Sequence, residues 1–201
     1  MQLTSAACIS NVIRPALAES PTNEPASGLS PLRIGLVVSV KEGQSVDTAI
    51  RQVHELGLPT CQLGVQSITP EVAGPVKNAL KKYGVEATAF SEHGPGRRVF
   101  NFYQGPGTIG IVPPDMRQAR IARLKMAADI AAECGIPAIH THCGFIPENP
   151  NDPLYPQAGA AVKEVAGHCK QRGRRFLCEI GEEAPITLLR LIEDVGLDNV
   201  F

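Results

Sequence analysis

Several residue types that mark particular classes of protein are scarce or absent in this sequence. Tryptophan is absent and aromatic residues make up 4% of the 201 positions, so we do not expect the stacked aromatic surfaces that bind single-stranded nucleic acids. The 19 basic residues are balanced by 20 acidic ones, whereas nucleic-acid-binding domains usually carry a basic face. We therefore predict that the chain has no nucleic-acid partner.

Paired cysteines and long apolar runs are missing as well. The six cysteines, at positions 8, 61, 134, 143, 169 and 178, form no C-x-x-C pair. This pattern favours reduced thiols in a cytoplasmic protein over a disulfide framework or a zinc site. No apolar run approaches the roughly 20 residues that cross a bilayer, so we predict no contact with a membrane.

The first 31 residues differ in composition from the rest of the chain. Residues 1–20 are mildly apolar, and residues 21–31, PTNEPASGLSP, have the composition of a flexible linker. We predict a disordered N-terminal extension over 1–31. The alternative is the remnant of an export segment, since residues 16–18 form an A-x-A string, although the basic and apolar parts of a signal peptide are not in the usual order.

From residue 32 onward one pattern recurs five times. A short apolar run is followed by a polar loop, an amphipathic stretch of helical spacing and a glycine. Ser45 and Thr69 are the predicted N-caps of the first two helices. Strands are predicted at 33–40, 60–66, 85–91, 136–145 and 175–180, with the beginning of a sixth at 199–201.

Alternating strands and helices predict an α/β fold with a parallel sheet. An open sheet and a (β/α)8 TIM barrel both fit the pattern, and polar residues inside the strands favour the barrel. A complete barrel needs about 250 residues. We therefore predict one domain over 32–201, a TIM barrel truncated after about five and a half units, which a second chain or a homo-oligomer could complete.

Polar residues lie where the predicted strands end, which is where barrel enzymes carry their active sites. His93 follows the third strand, His140 and His142 lie in the fourth, and Glu179 ends the fifth, among apolar residues that predict burial. The two histidines of the fourth strand share a face because side chains alternate. We predict Glu179 and His142 as catalytic residues, with Glu179 also a metal ligand, and His93 and His140 as substrate-binding residues.

Each of these residues could instead have a purely structural role. Glu179 could form an ion pair with Arg175, because a carboxylate in a buried strand needs a partner of opposite charge. The histidines could be hydrogen-bonded residues of the core. The sequence leaves both possibilities open.

The long loop over 92–114 has the length of a lid or binding loop. It contains a G-x-G-x-x-G match at 105–110, which we interpret as a glycine-rich loop because it does not open a helix. The arginines at 117, 120 and 123 follow in the third predicted helix and are predicted to form a solvated face.

Four segments together resemble a known family. They are GIVPP at 110–114, THCGFIPENPNDP at 141–153, EIGEE at 179–183 and LLRLIEDVG at 188–196. The segments are similar to those of sugar phosphate isomerases and epimerases of the xylose isomerase-like TIM barrel superfamily. The resemblance covers residues 34–201 and is strongest from 107 onward.

The resemblance implies a divalent metal at the barrel mouth and a proton transfer next to a carbonyl through an enediolate. Glu179 matches the ligand at the end of strand five, and His93 and His142 match histidines that line the site. The other ligands of the family would lie beyond residue 201. The metal implied is Mn²⁺ or Mg²⁺, with Zn²⁺ or Co²⁺ as alternatives, and the substrate is a small sugar or sugar phosphate.

Two alternatives to this function are compatible with the sequence. The chain could be a non-catalytic truncated fragment or pseudo-enzyme, which predicts no tight metal binding. Less favoured is a phosphodiesterase similar to endonuclease IV on the same barrel, which predicts a basic groove that the balanced charge does not support.

Overall fold

The computed structural model describes residues 32–201, so the predicted extension over 1–31 lies outside the described residues. Five strands alternate with five helices in the described part. The strands are β1 Gly35–Val40, β2 Thr60–Val65, β3 Glu86–Ser91, β4 Ala138–His142 and β5 Arg175–Glu179. The helices are α1 Val46–Glu55, α2 Ala73–Tyr83, α3 Pro114–Cys134, α4 Leu154–Gln171 and α5 Pro185–Val195.

All five strands are parallel and lie in the order β1-β2-β3-β4-β5. Each strand therefore pairs with the one before it in sequence, which is the arrangement of a barrel wall rather than of a doubly wound sheet. Residues 199–201 pair with β5, through the bridge between Phe176 and Val200 and a hydrogen bond from Cys178 N to Phe201 O of 2.7 Å. The predicted α/β fold is confirmed as part of a TIM barrel.

The two faces of the sheet differ in chemistry. Phe90, Ile139 and Phe176 pair in one row across β3, β4 and β5, and each is 0% exposed because the helices cover this face. Burial of each such side chain stabilises the fold by about 1.5–3 kcal/mol. Since side chains alternate along a strand, His140 and Glu179 lie on the opposite face, away from the helices.

The ends of the helices follow the predictions only in part. Gly84, Gly135 and Gly196 adopt positive φ as C-caps, as the glycine pattern predicted. Ser45 and Thr69 occupy N-cap positions, but neither side chain makes a capping hydrogen bond. Thr69 precedes a short 3-10 helix, Pro70–Val72, which leads into α2.

The predicted solvated arginine face of α3 is wrong. Arg120 is 1% exposed and donates hydrogen bonds to four backbone carbonyls, those of Pro95, Arg97, Thr108 and Gly110. Arg117 donates to the carbonyls of Ile111 and Val112, and Arg123 donates to those of Gln66 and Ile68. All three arginines therefore fasten loops to α3. The periodicity of residues along one helix does not reveal such contacts with distant loops.

Five of the six cysteines lie within the described residues. Cys61, Cys134, Cys143, Cys169 and Cys178 are free thiols. Within residues 32–201, no helix combines the length and the apolar character that a bilayer crossing requires.

Candidate active site

Three neighbouring strands place the predicted site residues at one end of the sheet. His142 pairs with Glu179 across β4 and β5, and Ser91 at the end of β3 pairs with His140. His93 follows β3 by two residues. Because these positions share one face of the sheet at the carboxyl ends of its strands, all four predicted residues come together there.

Glu179 is held between two imidazoles. Its Oε2 atom lies 3.3 Å from His140 Nδ1 and 3.3 Å from His142 Nε2. The side chain is 44% exposed, so the expectation of a buried carboxylate is wrong for this residue, and one side of it is open to solvent. The alternative partner, Arg175, forms no ion pair with Glu179 within residues 32–201.

His142 contacts a second carboxylate, Glu182, which the sequence did not single out as a site residue. His142 Nδ1 lies 3.1 Å from Glu182 Oε2, and the Glu182 side chain is only 6% exposed. Glu182 follows β5 in the EIGEE segment, whose acidic run was the signal available in the sequence. The imidazole is thus fixed from both sides, by Glu182 and Glu179, because each ring nitrogen faces a carboxylate oxygen.

His93 packs on the other histidines and is neutral at physiological pH. Its ring stacks on His142 with centroids 5.2 Å apart and meets the edge of His140 at 6.0 Å. Burial, with smaller contributions from Arg98 and the two histidines, lowers the pKa of His93 to about 4. His93 Nε2 lies 3.2 Å from Ser91 Oγ, whereas His93 Nδ1 has no hydrogen-bond partner in the described residues.

His140 lies deeper than His142, as its position in the strand predicted, and is 7% exposed. Burial lowers its pKa, and the neighbouring Glu179 carboxylate opposes this effect. Its Nε2 atom is buried without a partner among residues 32–201. Two buried imidazole nitrogens, one on His93 and one on His140, therefore lack a hydrogen-bond partner within residues 32–201.

Two further carboxyl groups with buried oxygens, on Glu92 and Glu183, follow β3 and β5, and neither was predicted as a site residue. Glu92, 5% exposed, accepts a hydrogen bond of 2.7 Å from Gly94 N, and its Oε2 lies 3.5 Å from Arg123 Nε. Burial raises the pKa of Glu92. Burial and the adjacent Glu182 raise the pKa of Glu183 to about 7, and both of its oxygens lack partners among residues 32–201.

A cavity of about 330 Å³ opens beside His93 at the carboxyl ends of β1, β2 and β3. Its lining is mainly polar and includes Ser39, Lys41, Gln66, Ser91, Glu92, His93 and Arg98. A hollow of about 390 Å³ between β1 and α1 is larger, but its lining contains no histidine or acidic residue. The smaller cavity is the better candidate for a substrate site because it adjoins the histidine cluster.

The loop between β3 and α3 forms one wall of the site. The Phe100 ring meets the His142 ring edge-on at 5.2 Å. The hydrogen bonds from Arg120 hold this loop, and Gly94 lies so close to Arg120 that an added Cβ would come within 2.4 Å of its Cγ. The G-x-G-x-x-G match falls in this loop as the 3-10 helix Gly105–Gly107 and opens no α-helix, as interpreted from the sequence.

The donor chemistry suits a divalent cation, but the described residues offer only part of a coordination shell. Glu179 presents a solvent-facing carboxylate beside His140 Nδ1 and His142 Nε2, and carboxylate oxygens and imidazole nitrogens bind divalent metals. Within residues 32–201 no three His, Cys, Asp or Glu side chains form a group that could hold a metal ion. Glu179 is the residue placed to be a ligand, and further ligands would have to come from elsewhere.

Solved structures share this fold. A xylose isomerase domain protein from Planctomyces limnophilus is 27% identical, with a TM-score of 0.74 over 84% of this chain and 61% of that one. A D-psicose 3-epimerase, determined in the presence of D-fructose, is 14% identical, with a TM-score of 0.59 over 83% of this chain and 62% of that one. The family 2 AP endonuclease from Brucella melitensis is 14% identical, with a TM-score of 0.61 over 84% of this chain and 67% of that one.

The chain spans 61% and 62% of the length of the first two of these proteins. No curated protein matches the sequence. Residues 50–201 match the family described as Xylose isomerase-like TIM barrel, and this match covers most of the strands and helices described above. The chain therefore belongs to the xylose isomerase-like TIM barrel family.

Proposed function

We propose that this chain supplies part of the active site of a metal-dependent sugar isomerase or epimerase. The observation that carries the proposal is the position of Glu179, a carboxylate that ends a barrel strand, faces solvent and is held 3.3 Å from both His140 and His142. Carboxylates at this position of a barrel are typical acid–base groups and metal ligands.

The reaction would be a proton transfer at the carbon next to a carbonyl. A divalent cation bound at Glu179 would supply Lewis-acid polarisation of the carbonyl and the adjacent hydroxyl. Glu179 would take or return the proton, because its carboxylate is the exposed acid–base group of the cluster. The two histidines would hold that carboxylate in one orientation, which general acid–base catalysis requires.

The two imidazole nitrogens that face no carboxylate, His93 Nδ1 and His140 Nε2, would bind the hydroxyl groups of the sugar. His93 is neutral at physiological pH, since burial lowers its pKa to about 4, and a neutral imidazole can both donate and accept. Its Nδ1 and the Nε2 of His140 are buried and have no hydrogen-bond partner among residues 32–201. A ligand hydroxyl that met these atoms would remove the cost of leaving them unpaired, which is about 1–3 kcal/mol per group.

The substitution Glu179→Gln tests this proposal in the longest form of the protein that the source cell makes. We expect it to lower the rate at which deuterium from D₂O enters the carbon next to the carbonyl of a ketose, in the presence of Mn²⁺ or Mg²⁺, by about 10²–10⁴-fold. The substitution Glu193→Gln on the exposed surface of α5 is the matched control. Exchange at the unchanged rate in Glu179→Gln would refute the role of Glu179.

The alternative of a non-catalytic chain rests on the incomplete set of metal ligands in residues 32–201. Residues 32–201 contain no group of three side chains that could hold a metal. Calorimetric titration of the 201-residue chain with Mn²⁺ distinguishes the two cases. Binding that is lost in Glu179→Gln supports the catalytic proposal, whereas no binding by either form favours the non-catalytic alternative for this chain.

A further inference from the structure

The cavity beside His93 is lined by two cations that have no partner among the described residues. Lys41 and Arg98 both line it and both are exposed. Within residues 32–201, the side-chain hydrogen bonds and ion pairs involve neither the Lys41 ammonium nor the Arg98 guanidinium. Most other basic residues near this end of the sheet are engaged, as Arg120 and Arg123 show. Two free cations facing one small cavity are a local excess of positive charge.

The acidic residue in the lining does not cancel this excess. Glu92 is already compensated, because its Oε1 accepts from Gly94 N at 2.7 Å and its Oε2 lies 3.5 Å from Arg123, a residue outside the lining. Burial raises the pKa of Glu92, which favours its uncharged form. Lys41 and Arg98 are therefore the charged groups of the lining that have no partner within residues 32–201. Arg98 adds to the effect of burial in lowering the pKa of His93.

Neutral groups of the lining can add hydrogen bonds to an anion. Gln66 Oε1 accepts from Glu42 N at 3.3 Å, which leaves the NH₂ group of Gln66 as a free donor. Ser39 contributes a hydroxyl to the same lining. An ammonium, a guanidinium, an amide NH₂ and a hydroxyl are together the donors that phosphate and carboxylate groups use in proteins.

We propose that this cavity is an anion subsite, in which Lys41 and Arg98 bind the phosphate or carboxylate of an acidic sugar. The placement of the sugar rests on the function proposed above: His93 lines the cavity and stacks on His142 at 5.2 Å, and His142 contacts Glu179. A substrate anchored by its anionic end at Lys41 and Arg98 would therefore extend past His93 toward Glu179. The substrate class is an anionic sugar rather than a neutral one.

Calorimetric titration of the 201-residue chain, without added metal and at low salt, tests the subsite directly. The probes are D-fructose 6-phosphate, D-gluconate, D-fructose and inorganic phosphate. We expect at least one of the two anionic sugars to bind at least about tenfold more tightly than D-fructose, since charge-assisted hydrogen bonds are stronger than neutral ones. Preference for the sugar phosphate identifies phosphate as the anion, and preference for gluconate identifies a carboxylate.

Charge-removing variants connect the binding to the named residues. The double substitution Lys41→Met and Arg98→Met should weaken binding of the preferred anionic sugar by about tenfold or more and leave D-fructose unaffected. The matched control, Arg51→Met with Lys163→Met, removes the same charge from α1 and α4. Both residues of the test pair are exposed, and a thermal melt of each variant establishes that it folds.

Two results would overturn the subsite. One is equal affinity for D-fructose and both anionic sugars. The other is an equal loss of affinity in the test and control variants, which would mean that total charge and not this cavity attracts the anion. Because no metal is added, anion binding that persists in a protein without deuterium exchange would reject the proposed function and leave the subsite standing.

Discussion

The Glu183 carboxyl group is buried without compensating hydrogen bonds from the described residues. Both carboxylate oxygens are buried and have no hydrogen-bond partner within residues 32–201, and the charged Glu182 precedes it. A carboxyl group in such a place favours the protonated form, because burial and a like charge both disfavour ionisation. The consequence is a pH-dependent cost to folding that belongs to this single side chain.

Glu183→Gln should remove that cost. Burial and the charge of Glu182 raise the pKa of Glu183 to about 7 in the folded chain, from an ordinary value of 4.5, so the folded state holds more protons than the unfolded state between these values. Stability should therefore fall as pH rises from 4.5 to 7 and stay lower above it. At pH 8 we expect Glu183→Gln to be more stable than the wild type by about 1–2 kcal/mol, after allowance for solvent screening.

Urea unfolding at pH 4.5 and pH 8 measures the effect. The two proteins should have similar stability at pH 4.5 and should differ at pH 8. Glu193→Gln, at an exposed position of α5, is the control and should follow the wild type at both values. A constant difference between Glu183→Gln and the wild type at both pH values would show that Glu183 does not titrate in this range.

Single residues also show what the sequence could and could not reveal about the site. His142 and Glu179 were predictable, because strand alternation and the ends of barrel strands fix where their side chains lie. Glu182 and Glu92 lie in loops after strands, where no periodicity specifies direction. Arg120 was mispredicted since its partners are carbonyls of a distant loop, and those contacts exist only after the chain folds.

At the scale of elements, α3 and the loop before it form one unit through Arg120. The guanidinium is buried and donates to four carbonyls between residues 95 and 110. No acidic side chain pairs with it in the described part of the chain. Arg120 therefore fastens to α3 the loop that places Phe100 against His142.

Arg120→Met should release this loop. We expect a loss of stability of about 2–4 kcal/mol, since several buried carbonyls lose a charged donor. Backbone amides of residues 94–110 should exchange with solvent faster in the variant than in the wild type, whereas those of β2 should exchange at the same rate in both. Arg51→Met on α1, which removes an exposed arginine with a weak pair to Glu55, is the control. Unchanged stability and exchange in Arg120→Met would show that other contacts hold the loop.

At the scale of the whole molecule, β1 is an edge strand of the sheet that residues 32–201 form. This strand pairs only with β2 among the described strands, and Val37 is 66% exposed. Leu36 is 38% exposed on the same strand. An exposed apolar edge strand is a template for pairing with another chain. The 201-residue chain should therefore self-associate through β1.

Val37→Lys should reduce this association, because a charged side chain on an edge strand opposes pairing. Light scattering over a range of protein concentrations gives the measurement, and the average mass of the variant should approach 21.4 kDa. Lys at an exposed helix position, as in Leu189→Lys on α5, is the matched control. Equal association of wild type and Val37→Lys would place the contact elsewhere.

The strand order has a consequence for how the chain is made. Since β1 to β5 lie in the sheet in the order of the sequence, the neighbour on which each of β2 to β5 docks has already been synthesised. The histidines of β4 would then be in place before Glu179 of β5 is synthesised. The nascent chain would complete this cluster only when the carboxylates of Glu179 and Glu182 join the histidines.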